Sequence, residues 1–180
     1  MCTGDAMLVN LSDVLTSEGR QMSMEVPLEM TVFKSGMGSF EILEKSSVAF
    51  TFTNLEPNKA KVYGAIKITF QTYCDRCLTE VPTILDLEFE RIVTSPEVAA
   101  EDDLVDDLSF MDGYQLDVET FVYNEIIGNW PAKILCKDDC KGLCPVCGQN
   151  RNVIDCGCDT FVPDPRMAVL QDIFNANKEV

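Results

Sequence analysis

Apolar and polar positions alternate along the first half of the chain, and that alternation marks strands. Ser39-Phe40-Glu41-Ile42-Leu43 and Val48-Ala49-Phe50-Thr51-Phe52-Thr53 are rich in aromatic and β-branched residues, which fit a pleated, half-buried surface. Lys61 to Phe70 alternates apolar with polar residues toward its end. Val81 to Val93 does the same, with Ile84, Leu85, Leu87, Phe89 and Ile92 largely on alternating positions. Asn54 to Asn58, with Pro57 inside, reads as a turn. These runs predict an antiparallel sheet of at least four strands, with a short helix around Leu11 to Ser17.

Past residue 116 the period changes. Asp117 is placed to cap a helix running to about Ile127, with Val118, Phe121, Val122 and Ile126 on one face. Gly128 and Pro131 end it. Asp164-Pro165 marks a second helix start, followed by Met167, Leu170, Ile173 and Phe174 at helical spacing. Both stripes read as core-facing and are assigned no chemistry. The expected class is α+β: an antiparallel β-sheet domain, a few helices and a C-terminal Cys-rich zinc-binding segment. Residues 1–94 are expected to form the sheet domain, with a Cys74/Cys77 knuckle, and 95–116 an acidic connector. Residues 117–180 would hold the helix, the Cys-rich segment and the C-terminal helix, packed with the first part as one unit.

Composition narrows the chemistry. The 180 residues are 46% apolar, enough for a real core. No run approaches the ~18 apolar residues of a membrane-spanning helix, and Met1-Cys2-Thr3-Gly4-Asp5 lacks the start of a secretory signal, so a cytoplasmic address is expected. There is no histidine, which removes Ser-His-Asp and Cys-His catalysis and restricts any metal to sulfur or carboxylate ligands. The net charge of −16 disfavours broad contact with nucleic-acid phosphates. It is concentrated: residues 1–92 carry −5, residues 93–130 carry −10 with no base at all, and residues 131–180 carry −1. The Glu101-Asp102-Asp103 and Asp106-Asp107 cluster reads as a solvated connector, or as an arm that docks on a basic partner.

Cysteine carries the chemistry. Cys74-Asp75-Arg76-Cys77 sits between two expected strands, and Cys136, Cys140, Cys144, Cys147, Cys156 and Cys158 fall within 23 residues. Cys2 stands apart. A C-x₂-C turn lets two sulfurs approach one metal while backbone amides point at them, and Cys144-Pro145-Val146-Cys147-Gly148 has the form of a zinc-ribbon knuckle. Without histidine the soft ligand set for Zn²⁺ is Cys₄, giving one or two structural sites. A disulfide framework is disfavoured by the expected compartment. A thiol redox site at Cys74/Cys77 lacks the strand-to-helix context of thioredoxin. Cys140-x₃-Cys144-x₂-Cys147 has the spacing of the iron–sulfur cluster in radical enzymes that use S-adenosylmethionine, but those need a much larger barrel and usually an aromatic residue where Val146 stands. Two ligand groupings stay open: Cys74, Cys77, Cys136, Cys140 with Cys144, Cys147, Cys156, Cys158, or the Cys74/Cys77 turn facing the Cys144/Cys147 knuckle.

Cys74-Asp75-Arg76-Cys77-Leu78, the run from Cys136 to Asn150 with Lys141-Gly142-Leu143-Cys144-Pro145-Val146-Cys147-Gly148, then Asn152, Cys156-Gly157-Cys158 and Asp164-Pro165-Arg166, resemble the YceD family. Its members are also called large ribosomal RNA subunit accumulation proteins. The resemblance covers most of the chain; Arg151 departs from it, where many relatives have an apolar residue. It implies a role in accumulation or maturation of large-subunit ribosomal RNA, with no established enzymatic activity. The partners it implies are ribosomal RNA precursor or large-subunit assembly components, and a basic ribosomal protein fits the acidic segment. No membrane and no small-molecule substrate is expected. Arg76, Lys133, Lys137, Lys141, Arg151 and Arg166 are the local cations available for RNA contact. The competing classes are a metal-dependent enzyme, for RNA processing on Asp102, Asp103, Asp106 and Asp107 with Mg²⁺ or for thiol redox, and a redox or zinc sensor.

Overall fold

The computed structural model describes residues 7–95 and 109–159. It is an α+β protein built mainly of antiparallel strands, and the chain divides into two compact units. The larger comprises residues 1–73 and 80–134, the smaller residues 74–79 and 135–180. The acidic cluster Glu101–Asp107, with Asp102, Asp103, Asp106 and Asp107, and the helix expected from Asp164 lie outside the described residues. No helix among the described residues is long and apolar enough to cross a membrane.

In the larger unit the elements run β1 (Leu8–Asn10), α1 (Ser12–Thr16), β2 (Gln21–Val26), β3 (Val32–Ser35), β4 (Gly38–Lys45), β5 (Val48–Glu56), β6 (Lys59–Tyr73), β7 (Glu80–Thr94), β8 (Met111–Asp112), β9 (Gln115–Asp117) and α2 (Val118–Gly128). β6 is the spine. Along one side it pairs with β7 over its whole length, from Lys59↔Thr94 to Tyr73↔Glu80. Along the other it pairs first with β5, Lys59 to Ala65, and then with β4, Ile68 to Phe70. β4 and β5 run in the same direction and are separated only by Ser46-Ser47, so they form one interrupted strand. Ser46 spans the break: its N–H donates to Lys67 O at 2.9 Å and its Oγ accepts from Lys67 N at 3.1 Å. β2 then adds to β5 and β3 to β4. A second small sheet has the order β1-β9-β8.

The alternating pattern decides which face is dry. Val48, Phe50 and Phe52 on β5, Val62, Ile66, Ile68 and Phe70 on β6, and Leu85, Leu87, Phe89 and Val93 on β7 are buried on one side. α1 adds Val14 and Leu15, and α2 adds Val118, Phe121, Val122 and Ile126. α2 starts where Asp117 Oδ1 accepts from the N–H groups of Glu119 (3.0 Å) and Thr120 (3.1 Å), the ordinary cap of a helix start. The Phe121 ring lies 4.8–5.9 Å from those of Phe110, Phe89 and Phe50, and Trp130 stacks on Phe33, tilts against Phe40 and meets Phe70 edge-on. Each fully buried ring among them, such as Phe50 or Phe121, stabilises the fold by about 1.5–3 kcal/mol. The buried Asn54 is well satisfied: its Nδ2 donates to Val14 O and Glu56 O, and its Oδ1 accepts from Gly19 N.

Candidate metal centres

The smaller unit begins in the β6–β7 connection. Cys74 N donates to Thr79 O at 2.8 Å, and Leu78 N donates to Cys74 O at 2.9 Å, which closes a tight turn around Cys74-Asp75-Arg76-Cys77. The same two bonds recur around Cys144-Pro145-Val146-Cys147: Cys144 N donates to Gln149 O and Gly148 N to Cys144 O, each at 2.8 Å. The residue after the second cysteine is left-handed in both turns, Leu78 at φ 58° and Gly148 at φ 74°. A glycine adopts that conformation without strain and a leucine does not. The chain thus carries two copies of one knuckle, with Leu78 in the first where the second has Gly148.

The eight thiols gather in two groups of four, Cys74 with Cys77, Cys136 and Cys140, and Cys144 with Cys147, Cys156 and Cys158; within each group the sulfurs lie within 4.8 Å of one another. Of the two groupings the spacing leaves open, this is the first. Cys74 Sγ is 3.7 Å from Cys140 Sγ, and Cys77 Sγ is 3.5 Å from Cys136 Sγ. Four sulfurs at about 2.3 Å from a tetrahedral ion stand about 3.8 Å apart. The cages therefore fit a metal ion.

Electrostatics favour the same occupant. Burial pulls the Cys74 thiol up, but the N–H groups of Cys136, Arg76 and Cys77 aimed at its sulfur outweigh that and bring it from 9.0 down to about 6. The N–H groups of Cys147 and Val146 bring Cys144 down to about 6 as well. The Thr79 hydroxyl and N–H lower Cys77. The remaining members move the other way: burial and then the crowd of sulfurs push Cys136 up to about 12, and the sulfurs of Cys147 and Cys156 push Cys158 up to about 12. A divalent cation placed among the four sulfurs would favour the thiolate form of each of them.

The surrounding network is made of residues whose role the spacing did not reveal. Asn152 Nδ2 donates to Cys140 Sγ at 3.3 Å and to Asn150 Oδ1 at 2.9 Å, and its Oδ1 accepts from Lys141 N at 2.9 Å. Asn150 in turn bridges to Leu143, beside the second knuckle. Gly142, at φ 74°, lets the chain pass Arg76: a Cβ there would lie 3.0 Å from Arg76 O. Leu143 N bonds that same carbonyl at 3.0 Å.

The candidate cations are partly committed. Arg76 Nη1 donates to Cys140 O at 2.8 Å, and Lys137 pairs with Asp139 at 3.8 Å. Lys133, Lys141 and Arg151 are exposed, and Arg166 lies outside the described residues.

A family model described as large ribosomal RNA subunit accumulation protein YceD matches residues 62–174, which include every cysteine of both cages. No curated protein and no solved structure matches the chain.

Proposed function

The chain belongs to the YceD family, and from that premise we propose that it is a non-enzymatic cytoplasmic factor for accumulation or maturation of large-subunit ribosomal RNA. It acts through binding, with Zn²⁺ in both Cys₄ cages. The observation that carries the reading is the completeness of those cages. Each gathers four sulfurs, the full tetrahedral set, which leaves no ligand position for water or substrate. The part of the metal is then to fold a unit that has few large apolar side chains of its own. Cys74 and Cys144 take the first charge because backbone amides already face them, and Asn152 holds Cys140 in place.

Depleting the protein in cells and measuring precursor and mature large-subunit RNA tests the role. Loss of mature RNA, restored by the intact chain and not by a variant with both cages removed, supports it. Metal analysis of the purified chain should return about two zinc per molecule. Specific cleavage of precursor RNA by the zinc-loaded protein with Mg²⁺ would establish an enzyme instead.

A redox or zinc sensor is the second reading. It is favoured by unequal cover: the first cage has three buried members, Cys74, Cys77 and Cys140, with Cys136 exposed, whereas the second has only Cys144 buried, with Cys147 exposed and Cys156 and Cys158 half-buried. Selective zinc release from the second cage under mild peroxide would support it.

A further inference from the structure

Among the described residues β7 is an edge strand of 15 residues, longer than the other edges β2 and β3. Its register with β6 is uninterrupted, so the direction of each backbone group follows from two contacts. Val81 O accepts from Thr72 Oγ1 at 2.6 Å, and Ser95 N donates to Asn58 O at 2.9 Å; both odd-numbered residues face β6. Backbone groups alternate sides along a strand. The even-numbered residues therefore turn theirs outward, beginning with Pro82, which has no N–H to present there. Among the described residues, that outer row has one partner, the Arg91 guanidinium, which donates to Glu90 O at 3.2 Å. Ile84, Asp86, Glu88 and Ile92 have no partner for either group among the described residues.

The same even-numbered residues put their side chains on the exposed face, in the order Ile84, Asp86, Glu88, Glu90, Ile92. Ile84 and Ile92 are 57% and 56% exposed. Two of the three carboxylates have a lysine near them on β6, and Glu88 at the centre has none. Lys61 pairs with Glu90 at 2.9 Å and Lys67 stands opposite Asp86, but the position opposite Glu88 is Ala65.

We propose that this edge accepts an extended, Lys- or Arg-rich segment of a basic protein as an added strand. The guest's same-face residues read apolar, basic, basic, basic, apolar at every second position, a pattern that is identical in either chain direction. Backbone pairing supplies affinity, and cross-strand charge supplies register. Phosphates of a nucleic acid meet three carboxylates here and are repelled. The inference rests on the sheet alone; it needs neither the metal centres nor the ribosomal-RNA role, so either can fail without the other.

The test uses the full metal-loaded chain and a capped peptide of about nine residues, with valine at both ends, lysine at the three inner same-face positions and threonine between. Saturable binding, with slowed amide exchange at Ile84, Asp86, Glu88 and Ile92, is expected. A peptide with its lysines shifted by one position, and the Glu88→Lys variant, should each bind roughly tenfold more weakly. Glu25→Lys on the far edge strand should leave affinity unchanged. No saturable binding, protection elsewhere, or an equal loss with Glu25→Lys would overturn the proposal and leave the acidic edge as protection against aggregation. Displacement by a large-subunit RNA fragment that protects the same amides would overturn it too, in favour of RNA.

Discussion

Replacing Gly64 by alanine probes how tightly the sheet holds its aromatic core. Gly64 lies on the buried side of β6, opposite Phe89 on β7 and Phe50 on β5. A Cβ built there would stand beside Phe89 Cε2 and 2.6 Å from its Cζ, and 2.9 Å from Ala49 O. Carbon atoms in contact prefer about 3.5–4.0 Å, so the ring must retreat by about 1 Å. It has little room, because its centroid is 5.8 Å from Phe50 and 5.0 Å from Phe121, both buried. Overpacking costs about 1–3 kcal/mol, and disturbing two aromatic pairs adds about 1 kcal/mol. Against this, alanine restricts the unfolded chain and returns about 0.4–1 kcal/mol. The clash wins, and Gly64→Ala should lose about 2 kcal/mol. Urea unfolding followed by the single tryptophan, Trp130, reads the larger unit directly, and its midpoint should fall by about 1 M. The Phe89→Leu change should cost less in the Gly64→Ala background than alone, by about 1 kcal/mol. An unchanged midpoint, or additive losses, would refute the packing argument.

Other changes separate the remaining interactions. Asn152→Ala should weaken metal binding at the Cys74 cage about 10–100-fold and spare the Cys144 cage, as read by chelator competition on the two sites. Stripping the metal should abolish amide protection across residues 135–159 while the β5–β6–β7 amides stay protected in hydrogen exchange. Glu125 is buried, which raises its pKa above 4.5 against the opposing pull of Arg91, whose Nε lies 3.0 Å from Oε1. A raised carboxyl favours the folded state below the unfolded pKa and loses that contribution as pH rises through the folded one. Arg91→Ala should therefore cost about 1–3 kcal/mol at neutral pH, where it strands a buried carboxylate, and distinctly less near pH 4. Glu125→Gln should flatten this difference in urea titrations at both pH values.

Strands with one dry face were legible, because burial on alternate residues writes itself into the sequence. Ser39–Leu43, Val48–Thr53, Lys61–Phe70 and Val81–Val93 all fall inside observed strands. Gln21–Val26 was not read: it alternates Met with polar residues, and flexible Met is a weak strand signal. Nor was β3, whose four residues show no period. The union of β4 and β5 into one interrupted strand depends on Ser46 bonding Lys67, a pairing no local pattern encodes. The α2 stripe was visible, but Glu125 within it makes sense only beside Arg91, 34 residues away. For the candidate centres, spacing singled out the same eight cysteines that the structure gathers, yet left their grouping open. Each grouping uses intact C-x₂-C turns, so only distances between turns distinguish them. Asn152 had no local signal of its support for Cys140.

The two cages differ in how long the growing chain must wait to complete them. Cys144, Cys147, Cys156 and Cys158 emerge almost together, and their centre can load as soon as the last is made. Cys74 finds Cys140 only 66 residues later, and Cys77 finds Cys136 after 59. At about 5–20 residues per second, the first knuckle stands as a bare dithiol for roughly 3–13 s of translation. During that interval it is open to oxidants and to the wrong metal. Closing this cage therefore marks a moment in synthesis, the passage of residue 140.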